Sequence, residues 1–342
     1  MMRRTVITLL LVSTLSAAPI PGRTAPRAPA GPAGSAPAAT QPSPPARRPT
    51  LRTYPSARAA LRALLKGTPA VIGVGEYHQK KGGPKVASSL RRFTRQLLPL
   101  LWRRTSDLVI ETWITEGTCG DEEKQVVEDV DKTTKRPEQT ESEILTLVKR
   151  ARSYRIRPHI LTMTCADYKR MLSGGEVNYE HFLKLTADQL KEKLLGITKR
   201  RLDPVKRAVD DTMRSLWQSG RSGGKRDIVL VYGGALHNDL TPTEEMKRYT
   251  YAPDVAEAVG GRFIELDLFV PEYIENDESL LKKQAWFPLF EQHQSTRRAL
   301  LIARGENAYV LIFRRRRRPV RRRAHDRAGS TPSNTADAAP QR

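Results

Sequence analysis

Long apolar runs are scarce in this 342-residue chain, and the one that stands out, Thr5 to Leu15, is too short to span a bilayer as a helix. No cysteine follows that run, which argues against a lipid-modified amino terminus. Cysteine is otherwise almost missing: Cys119 and Cys165 are the only two, and their spacing matches no zinc knuckle. Acidic residues are absent from the first 50 positions, so no salt-bridged fold is expected there.

What is present sorts into four segments. Residues 1–18 combine a basic start at Arg3 and Arg4, the apolar run, and small residues at Ser16-Ala17-Ala18, the pattern of a secretory signal. Residues 19–50 hold ten Pro and eight Ala with no hydrophobic period, and read as a disordered, extended linker. A single domain is expected over 51–313, followed by an Arg-rich, disordered tail over 314–342. Export places the chain in the periplasm or outside the cell, with no transmembrane helix in the mature form.

That division changes the meaning of the net charge of +22, because the two ends together supply fourteen of those charges. A high isoelectric point points to nucleic acid only when the charge lies on a folded surface, so no specific nucleic acid is expected. The tail is read as holding an anionic envelope surface by charge alone, the alternative being a solvated tail with no partner. For the two cysteines, an oxidising compartment favours a Cys119–Cys165 disulfide. Two buried thiols are the other reading.

Within 51–313, apolar runs alternate with helical periods. Strands are expected at 69–75, 107–111, 158–164, 227–232 and 262–269. Helices are expected from Pro55 to Lys66, from Gly82-Gly83-Pro84 to Trp102, over 121–133 and 138–154, and from Pro253 to Val259. Residues 271–292 read as mixed and mostly helical. A charged helical insert is expected at about 179–219, and a closing β-hairpin at 299–303 and 308–313. Continuous apolar strands separated by helices predict an α/β fold, with a mostly parallel sheet covered by helices on both faces and a C-terminal antiparallel hairpin.

Three of those strands stop at chemistry. The first runs Ala70-Val71-Ile72-Gly73-Val74-Gly75 and hands over to Glu76-Tyr77-His78. The second ends Leu108-Val109-Ile110-Glu111, and the fourth continues into Gly233-Gly234-Ala235-Leu236-His237-Asn238-Asp239. In extended chain, Glu76 and His78 share a side. A carboxylate beside an imidazole can hold a divalent metal, orient a general base or activate water. Glu111 ends an apolar strand without a turn signal, so its carboxylate needs a cation or hydrogen bonds. Pairing with Arg91 or Arg92 is the structural alternative. Asn238 and Asp239 are placed to bond the His237 ring. Open α/β sheets bind ligands at the carboxyl ends of their strands, so Glu76, His78, Glu111 and His237 form the candidate catalytic set, with Glu76, His78 and His237 as candidate metal ligands. His159 starts its strand at the opposite end and reads as structural, while Asp167 and Tyr168 read as a helix cap and a packing aromatic.

Gly75-Glu76-x-His78 after strand one, Glu111 ending strand two and Gly234-x-x-His237 after a late strand make the chain resemble the haem-binding uptake/Tiki superfamily. That group includes ChaN-like, TraB/GumN-type, Tiki and erythromycin-esterase-like proteins. The resemblance covers roughly 68–270 in order and spacing. It implies water activation for ester hydrolysis in esterase-like members, metal-dependent peptide hydrolysis in Tiki-like members, and haem binding in ChaN-like members. Carried over, Glu76, His78, Glu111 and His237 match, and Tyr77 and Tyr232 lie where a haem-binding tyrosine is sought. The first motif departs from the Tiki pattern, being Gly-Glu-x-His rather than Gly-x-x-His. Two functions follow as expectations: a hydrolase acting on a small-molecule or peptide substrate, with or without a divalent metal, or a non-enzymatic haem-binding protein.

Overall fold

A computed structural model describes residues 6–7, 48–172, 175–203 and 226–315, with isolated positions between 205 and 212. The leader, most of the linker, the tail beyond Arg315, the Ser222-Gly223-Gly224 stop and most of 204–219 lie outside the described residues.

The strands are β1 (Val6–Ile7), β2 (Thr50–Tyr54), β3 (Val71–Glu76), β4 (Thr105–Thr115), β5 (Arg157–Met163), β6 (Ile228–Gly234), β7 (Phe263–Phe269), β8 (Ala299–Ala303) and β9 (Ala308–Ile312). They form one sheet that reads β5-β4-β6-β3-β7-β9-β8-β2, with β1 against residues Trp113 and Ile114 of β4. From β5 to β9 all neighbours are parallel, and β8 and β2 are antiparallel additions at the edge. The fold class read from the sequence is the one observed. β3, flanked by β6 and β7, sits near the middle, and every one of its residues is buried.

Burial on both faces explains the lettering of the parallel strands. One face carries Ile72, Val74, Leu108, Ile110, Leu230 and Tyr232 into the larger core. The other carries Val71, Val109, Trp113, Val229, Val231 and Phe263 into a second core. Period-two alternation would leave one face wet; these strands are apolar at nearly every position because helices cover both.

Local chemistry sets the helices. The Ser56 side chain accepts a hydrogen bond from the Ala59 N–H and starts α1 (Ala57–Leu64). The helix expected from Gly82 begins later, at α2 (Ser89–Arg92), where the Ser88 hydroxyl accepts from the Arg91 N–H at 2.9 Å. Residues 79–88 are therefore loop. The helix then widens into a π-turn over Phe93–Leu97 before α3 (Leu98–Leu101). Pro99 has no N–H to continue the regular ladder, and the Leu98 N–H reaches back to the Phe93 carbonyl instead. Acidic residues Asp121, Glu122 and Glu123 fill the first turn of α4 (Gly120–Thr134), favourable at the positive end of the helix dipole. That helix stops at Lys135, which turns left-handed at φ 46°. After α5 (Gln139–Ser153) and β5, Thr164 and Asp167 cap α6 (Cys165–Met171) reciprocally. The insert forms α7 (Tyr179–Leu202), whose Phe182, Leu190 and Leu194 bury in the second core.

Some expectations shift. β2 was not anticipated, and β4 runs to Thr115 rather than stopping at Glu111. Its register against β5 slips between Ile110 and Trp113, so Glu111 sits at a bulge inside the strand. His159 Nε2 donates at 2.9 Å to Asp107 Oδ1 at the amino end of β4, and the Tyr168 hydroxyl meets Thr115, both structural roles as read.

The disulfide forms between Cys119 and Cys165, 46 residues apart in sequence. It fastens the residue preceding α4 to the first residue of α6. Closing such a loop in the unfolded chain is worth about 4 kcal/mol on the chain-entropy estimate. The Cys119→Ser/Cys165→Ser double variant should therefore lose about that much unfolding free energy in urea, with the fold's circular dichroism retained. A loss below about 1 kcal/mol would show that the clamp does not restrict the unfolded chain.

Candidate active site

Alternation along the strands decides where each candidate side chain points. Glu76 continues the Ile72–Val74 series and lies on the larger-core face with Tyr232. Glu111 lies on the other face. A methyl group on Gly233 would overlap its carboxylate, so the glycine is what lets the carboxylate lie flat on the sheet. The four Glu/His residues thus form two pairs that straddle the carboxyl edge of β3 and β6.

The first pair is short and buried. His78 Nδ1 lies 2.6 Å from Glu76 Oε1, and the two residues are 5% and 4% exposed. The Tyr232 hydroxyl donates to the other oxygen, Oε2. Arg136 Nη2 stands 3.8 Å from Oε1. Burial raises the Glu76 carboxyl, but the charges of His78 and Arg136 and the hydrogen bonds from His78 and Tyr232 outweigh it and leave the group below its ordinary value. Glu76 is therefore ionised while desolvated. Burial and the adjacent Glu76 charge push the Tyr232 phenol far up, so it stays a donor.

Arg136 was not anticipated. It follows the left-handed Lys135 that ends α4, and burial brings its guanidinium down to about 10 against the opposing pull of Glu76, Glu111, Tyr232 and Asp131. It stays charged at neutral pH and serves both carboxylates. Its Nε and Nη2 are buried with no hydrogen-bond partner among the described residues. The arginine that answers Glu111 is this one, and neither Arg91, which is exposed, nor Arg92, whose Nε donates to the Ala87 carbonyl.

In the second pair, Glu111 Oε2 accepts the Gly234 N–H at 2.9 Å, and His237 Nε2 lies 3.8 Å from Oε1. His237 Nδ1 is 2.5 Å from the Tyr249 carbonyl, which only an N–H can satisfy, so the proton sits on Nδ1. Burial, helped by the His78 charge and opposed by the Tyr249 bond, lowers the ring to about 4. His237 is neutral, and its Nε2 carries a lone pair toward a carboxylate. Asn238 and Asp239 do not hold the ring as expected: Asn238 Nδ2 donates to the Gly73 carbonyl at 2.9 Å, and Asp239 Oδ1 accepts the Thr241 N–H.

Asp267 was also missed. It pairs with Gly75 in the β3–β7 register, is 5% exposed, and is pushed well above its ordinary value by burial and by Asp239. A methyl on Gly75 would overlap its Oδ1. The lettering Phe263-Ile-Glu-Leu-Asp-Leu-Phe269 held a signal, because two acids alternate inside an apolar strand that is buried throughout.

The cofactor expectations meet this geometry poorly. Glu76 and His78 already engage each other, with Tyr232 and Arg136 completing the carboxylate's surroundings. Among the described residues no three His, Cys, Asp or Glu side chains form a group that could hold a metal ion. For haem, a tyrosine ligand must lose its proton. The Tyr77 hydroxyl instead donates to Asp277 at 2.7 Å while its ring stacks on Phe269, and burial and that bond raise it strongly. Tyr232 is equally committed to Glu76.

No protein-family model matches the chain, and no curated protein matches it. Among solved structures, a Bacillus cereus protein aligns over 63% of this chain and 70% of its own, at 12% identity and a TM-score of 0.29. A histidine-to-asparagine mutant of erythromycin esterase EreC in its open conformation aligns over 77% of this chain and 97% of its own, at 10% identity and a TM-score of 0.32. At that degree of overlap neither likeness informs the chemistry.

The neutral state of His237 has a measurable cost in acid. Its folded value lies below the 6.5 of an ordinary histidine, so the stability it contributes is complete above about 6.5 and is lost as pH falls from there toward 4. Urea unfolding between pH 7 and pH 4.5 should show a loss of about 2 kcal/mol or more in the native protein that shrinks in His237→Gln. Equal acid losses in both proteins would show that His237 is not held neutral.

Proposed function

We propose that the chain is an exported hydrolase-like protein in which Glu76 and His78 activate water for attack on an ester- or peptide-type carbonyl. One observation carries the reading: an ionised, buried carboxylate holds one ring nitrogen of a histidine at 2.6 Å. The disulfide suits an oxidising compartment outside the cytosol.

In this mechanism the working form of the pair has His78 neutral: Glu76 Oε1, held ionised by Arg136 and Tyr232, accepts its Nδ1–H, which fixes the tautomer and leaves Nε2 as the base. Nε2 takes a proton from water as the water oxygen bonds to the carbonyl carbon. The positive charge that appears on the ring is stabilised by Glu76 in a low-dielectric setting, where the interaction is stronger than in water. Tyr232 and Arg136 keep Glu76 ionised through the cycle. The buried Nε and Nη2 of Arg136 are donors for the oxyanion of the tetrahedral intermediate. On collapse the proton on Nε2 passes to the leaving alcohol or amine, which restores the neutral ring.

The second pair serves a supporting role in this reading. Glu111 shares Arg136 with Glu76, and the neutral His237 ring packs 3.8 Å from Glu111.

Hydrolysis of a panel of activated esters and short peptides by the intact chain tests this. Glu76→Gln and His78→Asn should each lower kcat by about 10²–10⁴-fold, the range for loss of general-base catalysis, while near-ultraviolet dichroism stays native. Tyr232→Phe should fall between them and wild type. Wild-type rates in either of the first two variants would end the proposal.

A further inference from the structure

Beside the Glu76–His78 pair the surface opens into a cleft of about 2160 Å³. Gln79, next in the chain to His78, and Pro137, next to Arg136, both line it. Its walls are the 79–87 loop, the helical turns around Arg91 and Arg95, the start of α5, and the segments flanking β8 and β9. Ten lysines and arginines line it against two glutamates, Glu138 and Glu143.

The charge is not internally balanced. Lys80 pairs with Asp277 and Arg315 with Glu275, but Lys81, Lys85, Arg91, Arg95 and Arg297 are exposed and make no ion pair with any carboxylate among the described residues. Glu143 offers little relief: its carboxyl accepts the Ser88 hydroxyl, and burial raises it above its ordinary value. Unpaired like charges facing one hollow repel one another and draw anions into it. The cleft is also larger than the roughly 300–1,000 Å³ usual for a small-molecule pocket. Several charged groups along an extended molecule fit both facts, and arginine forks favour planar or tetrahedral oxyanions.

We propose that this cleft binds an extended molecule carrying several oxyanion groups, phosphate or carboxylate, and that, given the hydrolytic reading above, it is the arm that delivers an anionic substrate to His78. The cationic lining begins at Lys80, two residues beyond His78, so a bound anion would lie close in the chain to the water-activating pair.

Calorimetric titration of the full-length chain with inorganic tripolyphosphate, and separately with triglutamate, tests the site and distinguishes the phosphate from the carboxylate source. At least one probe should bind, and Arg91→Glu/Arg95→Glu should weaken it about tenfold or more, equivalent to about 1.4 kcal/mol. Substituting Arg317, Arg318, Arg321, Arg322 and Arg323 by Gln in the intact chain should change binding by no more than about twofold, since the tail is not the site. Absence of binding by both probes overturns the proposal, as does a loss that follows the tail variant in place of the cleft variant. Glu76→Gln should bind the probe as wild type does. Binding that persists in a protein with no hydrolytic activity would therefore remove the catalytic reading and leave the anion site standing.

Discussion

An ionised carboxylate held away from water is the most demanding group in the molecule. Removing a carboxylate from water costs several kcal/mol even after relaxation, and one missing partner would leave that cost unmet. Glu76 has three partners, and they come from widely separated parts of the chain: His78 two residues on, Tyr232 from the neighbouring strand, and Arg136 from the turn after α4. Arg136 reaches the site because α4 ends at a left-handed Lys135. The start of that same helix is fastened through Cys119 to α6. The covalent clamp and the buried guanidinium are thus opposite ends of one helix.

Two glycines make the other half of this arrangement possible. Gly75 and Gly233 end adjacent central strands and present no side chain to the second-core face, and Asp267 and Glu111 occupy the space that results. The carboxyl edge of the sheet is thereby polar on both faces. One carboxyl, Glu76, is held low and another, Asp267, is held high, within strands that are direct neighbours. Environments that push like groups apart in this way are how proteins keep one acid charged and another protonated at the same pH.

The parallel sheet was legible because burial on both faces leaves mostly apolar letters in the middle of its strands. The same rule hid β2, where Thr50-Leu-Arg-Thr-Tyr54 is an edge strand with exposed positions and reads as polar coil. It also hid the length of β4, since Thr112 and Thr115 are buried polar residues that look like a loop. Within the site, Glu76, His78, Glu111 and His237 were visible because each breaks or follows an apolar run. Arg136 was not, because it lies 60 residues from Glu76 in a charged stretch where one more arginine carries no signal. The partner of the His237 ring was misread for a related reason: the Tyr249 carbonyl that holds it belongs to the backbone and has no letter of its own.

The register of the antiparallel edge fixes the polarity of the whole molecule. Thr50 pairs with Ala303, and Ala303 with Tyr309 at the start of β9, so β2 begins at the amino ends of the parallel strands. The chain departs past Phe313, whose N–H bonds the Phe269 carbonyl at the carboxyl end, beside Glu76. Entry and exit are thus on opposite poles, about 15 Å apart along a five-residue strand. A tether attached before Thr50 would hold the molecule with its reactive edge facing outward. Arg314 and Arg315, by contrast, lie at the opposite pole and line the cleft itself.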